Sequence, residues 1–232
     1  MSLEVRRFPD AAAAAEECGR YILMRLEDAL AAGARATLAI SGGSSPNTMF
    51  AFLARQEFAW ERVHVFWVDE RCVPPDHEQS NFKWAHDLWL GPARVPERNV
   101  HRIAGEVPPE EAARRYVDEI RAFFGLAEGE LPRFEVVHLG MGPDAHTASL
   151  FPGSPLIGDR AHIAAAVWAE SMKQWRVTLL PGVLEAARHT AMLVAGADKA
   201  AALAEVLDGP HDPLKYPAQL AREGVWFIGG RA

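Results

Sequence analysis

Apolar side chains at residues 11–32 fall at helical spacing (Ala15, Cys18, Ile22, Met24, Leu26, Leu30), and the run stops at Gly33, a residue suited to close a helix. The next apolar run, residues 36–40, is short enough for a buried strand and ends in Ser41-Gly42-Gly43-Ser44-Ser45-Pro46, after which residues 47–54 read as helix. Residues 63–68 form a second strand that closes in Asp69-Glu70-Arg71, and residues 81–90 and 108–124 read as helices. Residues 134–139 form a third strand, running into Gly140-Met141-Gly142-Pro143-Asp144. Beyond it, residues 163–168 and 175–180 alternate around a polar turn, as a hairpin or a mixed sheet edge would. Helices over 181–189 and 198–207 and a last strand over 225–228 complete the pattern. Strands alternating with helices predict an α/β fold: a modified doubly wound, Rossmann-like, mostly parallel sheet flanked by helices, with a short antiparallel or mixed edge.

The chain has 232 residues, 49% of them hydrophobic and 24% charged, which suits a packed domain rather than disorder and predicts one domain over residues 1–232. No apolar stretch approaches the roughly 20 residues that a bilayer span needs, so no membrane role is expected. The N-terminal alanine run breaks into Glu16-Glu17 and carries no secretory pattern. Twenty-four Lys and Arg against 31 Asp and Glu give a formal charge of −7, a poor balance for nucleic acid. Cys18 and Cys72 are the only cysteines, too few for a disulfide framework or a CxxC zinc site, and the cytoplasm is the expected compartment.

Ligands of parallel α/β sheets lie at the carboxyl ends of the strands, so the residues after each strand carry the functional expectation. Ser41, Gly42, Gly43 and Ser44 offer a turn with free N–H groups ahead of a helix N-terminus, a place for a phosphate or carboxylate. The turn lacks the Gly-Lys-Ser/Thr ending of a Walker loop. Asp69 and Arg71 stand at the second strand end, where an arginine fork binds anionic oxygen; Asp76, His77 and Glu78 read as solvated loop. Asp144 two residues before His146, in a glycine-rich loop, is a carboxylate–imidazole pair suited to activating water. Arg176 places a cation on a strand, two residues from Thr178. Lys199, one of only four lysines, opens a helix, where a cation is unfavourable unless an anion joins it.

These stretches resemble the 6-phosphogluconolactonases, within the glucosamine-6-phosphate isomerase/6-phosphogluconolactonase group. They are SGGSSP from Ser41, DERCVPPDHEQSNF from Asp69, LGMGPDAHTASLFPG from Leu139, RVTLLPGVL from Arg176 and GADKA from Gly196, in the family's order over nearly the whole chain. The resemblance implies hydrolysis of 6-phospho-D-glucono-1,5-lactone to 6-phosphogluconate, the second step of the oxidative pentose phosphate pathway, with a phosphorylated sugar lactone as partner and no metal or organic cofactor. It implies His146 as the residue that activates water, Asp144 as its support, Asp69 and Arg71 as lining, and Ser41, Gly42, Gly43, Ser44, Arg176 and Lys199 as the phosphate neighbourhood. The chain departs from the family at Ala145, where glycine is usual; if that position needs positive φ, alanine strains the loop by about a kcal/mol or more. It also departs at its C-terminal strand, which ends in Gly229-Gly230 where an aspartate is usual. The alternatives are an amino-sugar phosphate isomerase/deaminase, whose loop carries a further acid where this chain has Phe151, and a catalytically silent sugar-phosphate sensor.

Overall fold

The computed structural model describes residues 3–230 and 232. Its strands are β1 (Glu4–Phe8), β2 (Ala36–Ile40), β3 (Val63–Trp67), β4 (Asp69–Arg71), β5 (Val100–His101), β6 (Val136–Gly140), β7 (Ala164–Ala169), β8 (Gln174–Leu179), β9 (His189–Ala195) and β10 (Val225–Gly229). The helices are α1 (Ala11–Ala32), α2 (Ser44–Leu53), α3 (Asn81–Ala85), α4 (Pro109–Phe124), α5 (Pro181–Ala186) and α6 (Ala200–Asp208). Seven strands form a wholly parallel sheet in the order β1-β10-β9-β6-β2-β3-β5. Every residue of β2 and β10 is buried, the continuous apolar pattern of strands covered on both faces.

The expected edge is a sheet of its own: β4-β8-β7, antiparallel throughout. Val68 joins the two sheets, since its N–H donates to Ile40 O at 2.9 Å and its carbonyl accepts from Leu179 N at 2.7 Å. Asp69, Glu70 and Arg71, read as a polar strand end, are therefore a strand that crosses from one sheet to the other. Beyond β2 the chain builds outward to β3, and it later returns to the other side of β2 as β6. Their carboxyl ends thus diverge at a topological switch point, where an open α/β sheet forms its ligand crevice.

Several sequence-based boundaries shift. The helix expected from residue 47 starts at Ser44, and the one expected over 181–189 ends at Ala186 because His189 already pairs with Val136 in the sheet. Helix 81–90 continues α3 as a wider π-turn over His86–Leu90. Met24, counted with the buried stripe of α1, is 40% exposed. The C-terminal strand packs without an aspartate. Gly229 lies so close to the start of α1 that a Cβ would sit 2.7 Å from Ala11 Cα, and Gly230 turns the chain at φ 71°.

Candidate active site

One cleft of about 250 Å³ at the switch point is lined by Ser41, Gly42, Gly43, Ser44, Asp69, Arg71, His146, Arg176 and Lys199, so nine of the ten candidate residues converge on it. Asp144, the tenth, stands behind His146 and opens on the neighbouring groove. Asn81 and Met172, neither of them a candidate on motif grounds, also line the cleft.

The turn after β2 reaches the cleft because Gly43 takes φ 117°, a conformation that side chains rarely adopt. The helix then begins at once, and no side chain caps it, so the N–H groups of its first turn are free to meet an anion. Ser41 N donates to His138 O at 3.1 Å, while Ser41 Oγ is buried without a protein partner. Gly42 must be glycine for a steric reason: a Cβ there would lie 2.1 Å from Asn81 Oδ1.

Antiparallel pairing sets Arg71 directly opposite Arg176 and Asp69 opposite Thr178. Residues two apart on a strand share a face, so both guanidinium groups and the Asp69 carboxylate face the same side of the small sheet. Like charges directly opposite are destabilising by themselves, so this face favours a compensating negative charge. Asp69 only partly neutralises the pair: its Oδ2 lies 3.8 Å from Arg176 Nη1 and accepts from Ser149 Oγ at 2.6 Å. Burial lowers the Arg176 pKa, Asp69 opposes that effect, and Arg71 adds to it. Arg71 Nη1 donates to Gln79 O at 2.6 Å; the Nε atoms of both arginines are buried without a protein partner.

Glu70 points to the opposite face and holds this strand to the start of α3. Its buried carboxylate accepts from Asn81 N at 2.7 Å, Phe82 N at 2.8 Å, Arg71 N at 2.8 Å and Ser80 Oγ at 3.1 Å. Burial raises the Glu70 pKa against the pull of these donors. The anchored Asn81 then donates Nδ2 to Asp69 O at 2.9 Å, and its Oδ1 stays buried without a partner.

The loop after β6 folds back on itself through Gly142 N to His146 O at 2.9 Å and Ala145 N to Gly142 O at 3.0 Å. Ala145 does take positive φ, 65°, at the position where the resemblance expects glycine. For an L-residue that costs about 1–2 kcal/mol, and the surrounding hydrogen bonds hold it, including Ala218 N to Ala145 O at 2.9 Å. The turn brings His146 Nδ1 to 2.5 Å from Asp144 Oδ1. An ionised carboxylate only accepts, so Nδ1 carries the proton and Nε2 is left as the basic nitrogen. Partial burial raises the Asp144 pKa, but the hydrogen bonds and charge of His146 outweigh it, and the net shift is downward. Phe151 packs on the imidazole with ring centroids 4.8 Å apart.

Lys199 sits not inside a helix but in the short 3-10 turn that precedes α6. Burial lowers its pKa, with Asp198 pulling the other way. Lys83 and Lys173 are ion-paired to Asp87 and Glu170, whereas Lys199 faces the cleft. Among the described residues, no helix is long and apolar enough to cross a membrane, and no group of three or more His, Cys, Asp and Glu side chains converges as a metal site. Cys18 and Cys72 are free thiols.

Residues 9–227 match the model of the family described as glucosamine-6-phosphate isomerases/6-phosphogluconolactonase. The 6-phosphogluconolactonase of Synechocystis sp. is 37% identical over 217 residues, covering 91% of this chain and 89% of that protein. That of Nostoc sp. is 36% identical over 236 residues, covering 100% and 98%. The crystal structure of 6-phosphogluconolactonase from Thermotoga maritima superposes with a TM-score of 0.84 at 29% identity, over 97% of this chain and 99% of that one. With the match running from the first helix into the last strand, this chain belongs to the glucosamine-6-phosphate isomerase/6-phosphogluconolactonase family.

Proposed function

We propose that this chain hydrolyses 6-phospho-D-glucono-1,5-lactone to 6-phospho-D-gluconate, with His146 activating the attacking water. The observation that carries the reading is the imidazole itself: it lines a cleft shared with Arg71, Arg176 and Lys199, and its far nitrogen is held by Asp144 at 2.5 Å. Water attacks the lactone carbonyl carbon while Nε2 takes one of its protons. Negative charge then develops on the carbonyl oxygen, where fixed cations and N–H donors stabilise it more than they stabilise the neutral carbonyl. Collapse breaks the bond from the carbonyl carbon to the ring oxygen, and the imidazolium returns its proton to that leaving oxygen.

The phosphate is remote from this bond, and its binding fixes the carbonyl in place. Lys199, Arg176 and the turn of Ser41, Gly42, Gly43 and Ser44 take the phosphate in this reading, while Asp69 and Arg71 border the lactone ring. Phe151 against His146 disfavours the isomerase/deaminase alternative, because an apolar ring fills the place of the further acid. The test is the disappearance of freshly made 6-phosphogluconolactone at mildly acidic pH, with unphosphorylated gluconolactone alongside. The phosphorylated lactone should open many times faster with the protein than without, and much faster than its unphosphorylated counterpart. An unchanged decay rate, with 6-phosphogluconate still bound, would overturn the reading in favour of a silent sensor.

A further inference from the structure

The turn joining β7 to β8 carries Met172, 44% exposed. The Met172 thioether lies against Arg176 Nη2 and lines the same cleft. Arg176 is otherwise loosely held: Nη1 meets Ser149 Oγ at 3.5 Å and Asp69 Oδ2 at 3.8 Å, and Nε has no protein partner. Its Nη2 donor is thus engaged by a sulfur, a weak acceptor that an anionic oxygen displaces readily.

We propose that Met172 is an oxidation-sensitive site whose conversion to the sulfoxide weakens binding of the phosphorylated ligand. In the step, a peroxide transfers one oxygen atom to Sδ: the sulfur is oxidised by two electrons, the O–O bond breaks, and hydrogen peroxide leaves as water. The product replaces a soft, weakly accepting sulfur with a strongly dipolar S=O beside the Arg176 guanidinium. That oxygen accepts from Nη2 and competes with the ligand for the same donor. A methionine sulfoxide reductase reverses the change.

The surroundings make the site selective. Met49, Met141 and Met192 are buried, and Met24 is the other exposed methionine among the described residues, on α1. Cys18 is buried, and burial pushes the Cys72 thiol up to about 11, so little thiolate is present to compete for peroxide. Among the described methionines, peroxide should therefore reach Met24 and Met172 first, and of these only Met172 touches a cleft cation.

The inference rests on the proposed substrate class, so its test reads ligand binding and not turnover. Parent, Met172→Leu and Met24→Leu proteins are treated with hydrogen peroxide, the modified residues are located by peptide mass, and 6-phosphogluconate binding is measured by calorimetry. Each protein is compared with its own untreated form. The expected result is an increase in Kd of about tenfold in the parent and in Met24→Leu, the scale of one charge-assisted hydrogen bond. It should follow the extent of Met172 oxidation, be absent in Met172→Leu and be reversed by the reductase. Resistance of Met172 to peroxide, full oxidation with unchanged Kd, or an equal loss in Met172→Leu would each overturn the proposal. Absence of lactone hydrolysis by untreated protein that binds 6-phosphogluconate would instead count against the proposed function.

Discussion

Gly142→Ala perturbs the His146–Asp144 pair while leaving both side chains in the sequence. A Cβ on Gly142 would lie 2.1 Å from His146 Cε1, 2.2 Å from Nδ1 and 2.9 Å from Asp144 Oδ1. The main chain cannot retreat easily, because Gly142 N donates to His146 O and Gly142 O accepts from Ala145 N in the same tight turn. The ring must swing away instead, losing the 2.5 Å bond that sets its tautomer and aim. A misaimed general base forfeits about 10²–10⁴ in rate, or roughly 3–5 kcal/mol of transition-state stabilisation. The cost to folding is smaller, about 1–3 kcal/mol for one overpacked methyl group. The assay combines kcat on the phosphorylated lactone, the urea midpoint and 6-phosphogluconate binding by calorimetry. The variant should stay folded and bind product within about threefold of the parent while kcat drops at least about 100-fold. A kcat within threefold of the parent would show that the rate does not depend on how Asp144 holds the imidazole.

Other consequences follow from neighbouring groups. Lys199→Ala should raise KM about tenfold with a much smaller change in kcat, and inorganic phosphate should lose potency as an inhibitor in parallel; steady-state kinetics with phosphate inhibition checks both. Glu70→Gln keeps the size of the side chain but replaces one of its two acceptor oxygens with an NH2 group, leaving two of its four donors without an acceptor, so the urea midpoint should report a loss of about 2–3 kcal/mol, with activity falling through Asn81 and Arg71. His138 is fully buried, and burial drops its pKa from 6.5 to about 3, so it stays neutral when folded but protonates when unfolded. Its folded pKa lies below its unfolded one, so stability falls as pH drops below 6.5, by about 2 kcal/mol from this residue at pH 5. Urea midpoints at pH 7 and pH 5 should therefore differ less in His138→Leu than in the parent.

Much of this organisation is legible in the sequence because parallel strands buried on both faces read as continuous apolar runs. Residues 36–40, 63–68 and 225–228 announce themselves that way, and polar, glycine-rich text follows the strands that reach the cleft. Strand β1 escapes the pattern because Glu4–Phe8 is a charged edge strand, half open to solvent, that exists by pairing with β10 more than 200 positions away. Strand β5 is two residues long. The small sheet was half visible: the hairpin of β7 and β8 shows its alternation, but a three-residue strand of Asp, Glu and Arg has no apolar period to read. Consequently the facing of Arg71 and Arg176 could not be inferred, although each residue was a candidate alone. Asn81 and Ser149 lay inside the quoted motifs, yet only the fold shows that one is tied to Asp69 through its main chain and the other through its carboxylate. Ala145 is a different case: its departure from glycine raised the question of positive φ, and the loop adopts it.

The most direct test of His146 as the base is kcat/KM of His146→Ala against the parent on 6-phosphogluconolactone, with 6-phosphogluconate binding measured on both proteins. A loss of about 10²–10⁴ in kcat/KM is expected, with binding nearly intact, because the imidazole acts on the water and the cations hold the phosphate. A variant that keeps most of the parent's kcat/KM would contradict it and move the base elsewhere in the cleft.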